Sequence, residues 1–96
     1  MSADAARARL RQTLVGYSQE QLCGFLEAAG YRLARQGRHG AIYRNAELAE
    51  RHPDLAVRRR YAYVEVPKGR ELKAVYARNV LEALEILEAW QQERSQ

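Results

Sequence analysis

Cysteine is nearly missing from this 96-residue chain, where Cys23 stands alone. A lone thiol excludes an internal disulfide framework and a cysteine-based zinc site. Cys23 falls in an apolar helical pattern, so it reads as a buried structural thiol. Long apolar runs are missing as well; none approaches the ~18 residues that span a bilayer. Residues 1–14 carry arginines without a continuous apolar segment, which is not the pattern of a secretory signal, and the expected location is the cytoplasm. Histidine is scarce: His39 and His52 fall in separate loops with no close pair of carboxylates, a spacing that suits no metal, and no cofactor is expected. No glycine loop of the nucleotide-binding types occurs. Lysine is the last shortage, with Lys68 and Lys73 against fourteen arginines.

What is present is a globular composition, 47% hydrophobic and 29% charged, of a length that makes one domain. The formal net charge is +4. Because arginine offers phosphate a planar, bidentate fork where lysine offers a point charge, the imbalance suits a nucleic-acid partner. A GC-rich coding bias produces the same imbalance, so composition alone does not decide.

Residues 4–14 read as a helix with a thin stripe of Ala6, Leu10, Thr13 and Leu14, broken by Gly16. Ser18 and Gln21 have capping-box spacing and open a second helix. Leu22, Phe25, Leu26 and Ala29 follow at helical intervals, and Gly30 terminates it. Residues 31–36 alternate as a strand, with Tyr31, Leu33 and Arg35 on one side. Residues 37–40 form a turn and 41–44 a second strand. Residues 45–55 are polar, with a helical turn at 47–51. Residues 58–66 read as the third strand, Ala62, Val64 and Val66 facing a core and Tyr61, Tyr63 and Glu65 turned away. Pro67 and Gly69 end it. The last helix, 71–90, carries a stripe of Leu72, Val75, Tyr76, Asn79, Val80, Ala83, Leu84 and Leu87. Asn79, its one polar member, reads as a hydrogen-bonding residue at the core edge.

This order predicts an α+β fold in which a three-stranded antiparallel sheet packs on helices. Within it, α-β-β-β-α is the order of the double-stranded-RNA-binding fold. The expected organisation is a core over 18–84, an N-terminal helical extension over 1–16, and a C-terminal helix extension and tail over 85–96.

Three stretches carry a resemblance to a known family. Residues 26–36 run from Leu26 through Gly30 and Tyr31 to Gln36, a helix end and first strand. Gly37-Arg38-His39 follows, with Tyr43 beyond it. Val64-Glu65-Val66-Pro67-Lys68-Gly69-Arg70-Glu71-Leu72-Lys73 forms a strand-to-helix junction. In this shared order the segment from Ser18 to about Leu84 resembles the HicA family of toxin ribonucleases. It departs from the family pattern in having Arg38 where serine commonly precedes the histidine, and Lys68 where a histidine commonly follows the proline. The segment 45–60 is longer than the usual hairpin, and the two end helices are additions.

The resemblance implies metal-independent mRNA cleavage with His39 as the catalytic residue, and a cognate HicB-like antitoxin that covers it. The chemistry is compatible. RNA supplies its own nucleophile, the 2′-hydroxyl, so the enzyme needs proton transfer and cations to offset charge on the phosphorane. Histidine exchanges protons near neutral pH. Arg38, Arg44, Lys68 and Arg70 are the expected phosphate contacts; the last two precede a helix N-terminus, itself favourable to phosphate. The run Arg58-Arg59-Arg60-Tyr61-Ala62-Tyr63 interleaves cations and aromatics as RNA-binding surfaces do, which adds Arg59 and Tyr61. Each of these also has a plain reading as a solvated loop or strand residue, and His52 reads as a surface residue. Two alternatives stand beside the ribonuclease: a noncatalytic RNA-binding module, and a protein-interaction adaptor working through the long last helix. The helical extensions either pack together or form a homodimer contact.

Overall fold

The computed structural model describes residues 1–95, and its element order is α1 (Ala3–Gln12), α2 (Gln19–Ala28), β1 (Arg32–Gln36), β2 (Gly40–Arg44), α3 (Ala46–Arg51), α4 (Leu55–Tyr61), β3 (Tyr63–Pro67) and α5 (Ala74–Arg94). The strands form one antiparallel sheet in the order β1-β2-β3. The α+β class with a three-stranded antiparallel sheet is therefore as the sequence predicts. Among the described residues no helix is long and apolar enough to cross a membrane.

One face of the sheet carries the core. Ala41, Tyr43, Val64 and Val66 are buried there with Leu22, Phe25 and Leu26 of α2 and Val80, Ala83, Leu84 and Leu87 of α5. The capping box at Ser18 and Gln21 forms as the spacing predicts. Helix α1 packs on both α5 and α2 through Ala6 and Leu10. Its buried Arg7 pairs with Asp4 and, at 3.1 Å, with Glu88 of α5, while Arg11 meets Glu85 at 3.0 Å. Of the two fates expected for the extensions, packing together is the one seen within the chain. Tyr31 is fully buried ahead of β1; burial pushes its phenol far above the usual range, and its hydroxyl donates to the Tyr61 carbonyl at 2.7 Å. Cys23 is buried against α2's neighbours, and burial pushes its thiol up.

Five expectations are corrected. Residues 58–61 are not strand but the end of α4, and β3 begins only at Tyr63. The polar segment 45–55 holds two helix starts: the Asn45 side chain accepts from the Leu48 amide at 3.0 Å, and Asp54 from the Ala56 amide at 2.9 Å. Those caps satisfy orphan donors and let Val57 and Tyr61, four apart, pack on the core, while Arg58, Arg59 and Arg60 suit the helix's negative end. His52 is half-buried rather than a plain surface residue, its ring packed at a tilt against Trp90 with centroids 4.8 Å apart and its Nδ1 accepting from the Asp54 amide. On α5, Val75 and Asn79 are exposed, and Ala77 takes a place in the buried stripe.

The fifth correction shapes the open side of the sheet. Register shifts between Leu33 and Arg35, so Ala34 is the extra residue of a bulge. Leu33 lies opposite the buried Tyr43, but Arg35 lies opposite Ile42. Facing residues of paired strands share a side, so Leu33 and Arg35 point to opposite faces. The open face thus carries Arg32, Arg35, Ile42, Arg44, Tyr63 and Glu65.

Candidate active site

The turn Gly37-Arg38-His39 connects β1 to β2, closed by the Gly37 amide donating to the Gly40 carbonyl at 2.9 Å. Its position against the rest of the chain depends on Gly40. A Cβ there would stand 2.5 Å from the Val66 carbonyl oxygen and 2.8 Å from the Pro67 Cα, so only glycine lets β3 approach this closely. One residue earlier, the His39 carbonyl accepts from the Lys68 amide at 3.2 Å. The histidine turn and the Pro67-Lys68-Gly69-Arg70 loop, 29 residues apart in sequence from His39 to Lys68, are thereby joined edge to edge.

The second loop is fixed from the other side. Gly69, at φ 154°, accepts through its carbonyl from the Gln19 amide at 2.9 Å; the Leu72 amide donates to the Tyr17 carbonyl at 2.7 Å. The Gln19 side chain adds a bond to the Val66 carbonyl at 3.2 Å. The segment joining α1 to α2 thus clamps the junction between β3 and α5. Helix α5 opens at Lys73 with no side-chain cap.

A shallow depression of about 490 Å³ lies over the turn, lined by Arg35, Gly37, Arg38, His39, Gly40, Ile42 and Glu65. His39, Arg38, Arg35 and Glu65 are exposed, as are Lys68 and Arg70 beside them. The ion pairs among the described residues use Arg7, Arg11, Arg44, Arg60 and Arg94. Arg35, Arg38, Lys68 and Arg70 stand outside them, as does Glu65. A flexible anion would thus meet one histidine and four unpaired cations at this corner of the molecule, with a carboxylate on the sheet floor.

The chain matches no family model, no curated protein and no solved structure.

The remaining predicted site residues lie elsewhere. Arg44 is at the far end of β2 from the turn, about 13 Å along the strand. There its guanidinium bonds the Tyr63 hydroxyl at 3.1 Å and Glu50 at 3.0 Å, and these bonds hold it more firmly charged. Arg59 is exposed on α4 and Tyr61 half-buried at its end, both beyond the Tyr63 end of β3. Tyr61 lines a second depression of about 310 Å³ with Arg60, Tyr63, Val64, Asn79 and Glu82. Arg38, His39, Lys68 and Arg70 therefore gather at one end, and Arg44, Arg59 and Tyr61 at the other.

Two charged residues of the depression, Arg35 and Glu65, were not among the sequence candidates. Arg35 was assigned by simple alternation to the side of Tyr31 and Leu33, and the bulge that turns it outward leaves no clear mark in the sequence. Glu65 did leave a signal: it is the one acidic residue in the three strands, at a position type where glutamate is disfavoured. Among the described residues no three His, Cys, Asp or Glu side chains cluster so as to hold a metal ion.

Proposed function

We propose that this chain is a metal-independent endoribonuclease, an mRNA interferase toxin of a toxin–antitoxin module, acting in the cytoplasm and held in check by a HicB-like antitoxin over His39. In this reading α2, the three strands and α5 form a double-stranded-RNA-binding type of core, and α1, α3 and α4 are additions to it. The observation that supports the reading is the hydrogen bond between the His39 carbonyl and the Lys68 amide. It unites the two stretches that carry the resemblance and brings the Lys68 loop beside the turn that holds Arg38 and His39.

The substrate's 2′-hydroxyl attacks the adjacent phosphorus, and His39 transfers a proton in that step, a contribution of about 10²–10⁴-fold. Arg38, Lys68 and Arg70 offset the charge that builds on the phosphorane oxygens. Folded His39→Ala protein should neither cleave RNA nor arrest growth when expressed alone. Wild-type cleavage should persist in excess chelator and leave a cyclic phosphate at the product's 3′ end. A 2′-deoxy group at the cut site should block it. Cleavage by His39→Ala at the wild-type rate removes the histidine from the mechanism; activity lost on chelation and restored by Mg²⁺ replaces the 2′-hydroxyl route with an activated water.

A second reading, RNA binding without cleavage, draws on the open sheet face, where Arg32, Arg35, Arg44 and Tyr63 offer charge and one stacking surface to a single strand. Salt-dependent binding without any cleavage would favour it.

A further inference from the structure

We infer that Glu65 is a second catalytic residue, the general base that works opposite His39 as general acid; the inference rests on the ribonuclease reading above. One imidazole cannot hold two opposite protonation states at once, yet phosphoryl transfer from RNA needs both. A proton must leave the attacking 2′-oxygen, and a proton must reach the departing 5′-oxygen. A carboxylate and an imidazolium on either side of one phosphate meet both needs.

The geometry supplies that pair. Glu65 lies opposite Ile42, and Ile42 lies opposite Arg35, so Arg35, Ile42 and Glu65 form one row across the open face. His39 stands three residues before Ile42, in the turn that leads into the same strand, and lines the same depression as Glu65. His39 comes from the turn before β2 and Glu65 from β3, and the depression they both line is where the substrate phosphate would sit. Both side chains are exposed, and Glu65 takes part in none of the ion pairs among the described residues, although Arg35 shares its depression. The groups around the depression are cationic apart from Glu65: Arg35 from β1, Arg38 from the turn, and Lys68 from the adjoining loop. Ile42 forms an apolar floor between acid and base.

The step balances. The 2′-oxygen bonds to phosphorus while its proton passes to a Glu65 carboxylate oxygen; the bond from phosphorus to the 5′-oxygen breaks while the His39 imidazolium gives that oxygen a proton. The products are a 2′,3′-cyclic phosphate and a 5′-hydroxyl. Solvent then returns Glu65 and His39 to their starting forms.

The test compares wild type, Glu65→Gln, Glu65→Asp and His39→Ala on a defined oligoribonucleotide across a range of pH. It is repeated with a substrate whose 5′-bridging oxygen is sulfur, a leaving group that needs no proton. Glu65→Gln should lose about 10²-fold or more in rate, together with the acid limb of the profile. Glu65→Asp should retain that limb at reduced rate, and His39→Ala should lose the alkaline limb. The sulfur substrate should restore His39→Ala and leave Glu65→Gln impaired. If Glu65→Gln, folded by circular dichroism, cleaves as wild type while His39→Ala does not, the inference fails and the histidine reading stands. A Glu65→Gln effect confined to KM or to sequence preference, with both limbs intact, makes Glu65 a base-reading contact and also overturns it. Absence of cleavage by the wild-type protein overturns both.

Discussion

Gly40 bears more of the site's geometry than any charged residue near it. Methylation of its Cα would drive a carbon to 2.5 Å from the Val66 carbonyl oxygen, in backbone that cannot swing aside as a side chain would. The sheet would have to open at the pair Gly40 and Pro67, which adjoins the His39–Lys68 hydrogen bond. Gly40→Ala should therefore cost about 1–3 kcal/mol, as overpacked cores do. At roughly 4–8 °C per kcal/mol for a domain of this size, that loss is readable in a thermal melt. Activity should fall further than stability explains, because the two loops separate; a variant that melts lower but cleaves normally would detach the loop junction from function. Gly37 differs: a Cβ there meets nothing closer than 4.0 Å, so Gly37→Ala serves as the mild control.

Among the elements, α1 and α4 depart most from what periodicity suggests. Residues 58–61 fit strand alternation, because Arg60, Ala62, Val64 and Val66 form an unbroken row at period two. They also fit a helix, because Val57 and Tyr61 lie four apart. Local pattern cannot choose between these; the Asp54 cap and the need to cover the core beside α5 do. As for α1, its stripe looks too thin to be more than an appendage, yet Leu10 is fully buried and Arg7 is 6% exposed. A buried guanidinium is tolerated because Asp4 and Glu88 compensate its charge. Helix α1 is thus part of the folding unit, and the linker after it clamps the Lys68–Arg70 loop. Leu10→Ala should cost about 2–5 kcal/mol, the range for a leucine-sized core deletion. Because Trp90 is the only tryptophan and lies on α5, its fluorescence reports that loss in denaturant. A change under half a kilocalorie per mole would return α1 to the status of an appendage.

At the scale of the whole molecule, the helical cover of the sheet is one-sided. Helices α2 and α5 occupy one face of the sheet, and acidic residues of the helices neutralise Arg7, Arg11, Arg60 and Arg94 there. Arg32, Arg35, Arg38, Lys68 and Arg70 take part in none of the ion pairs among the described residues and lie on the open face or at its His39 end, while Arg9, Arg51, Arg58, Arg59 and Arg78 are likewise outside them on the helices. A net charge of only +4 thus produces a local excess that the composition understates. RNA affinity should fall as salt rises. Arg38→Gln, Lys68→Gln and Arg70→Gln should each flatten the plot of log affinity against log salt by roughly 0.7, the value for one lost contact to a single strand. Arg44→Gln should flatten it less, because Glu50 already offsets that charge. A plot insensitive to all four substitutions would remove this surface from RNA binding.

The sequence by itself determined the α+β class, the three antiparallel strands, the caps of α2 and the buried row of Val64 and Val66. These follow from periodicity and local hydrogen bonding, which act over a few residues and leave their mark in the order of side chains. It also marked the histidine turn and the Pro67–Arg70 loop as stretches worth attention. Only the tertiary structure decided that they touch, because contact between His39 and Lys68 depends on strand register and on a glycine that admits the neighbouring backbone. The outward turn of Arg35 was settled in the same way. A bulge exists in the pairing of two strands and not in either one alone, so alternation along β1 assigned that arginine to the wrong face. Glu65 was visible as an acid among strand residues, but its place beside His39 arises from the order of three strands, which no single segment encodes.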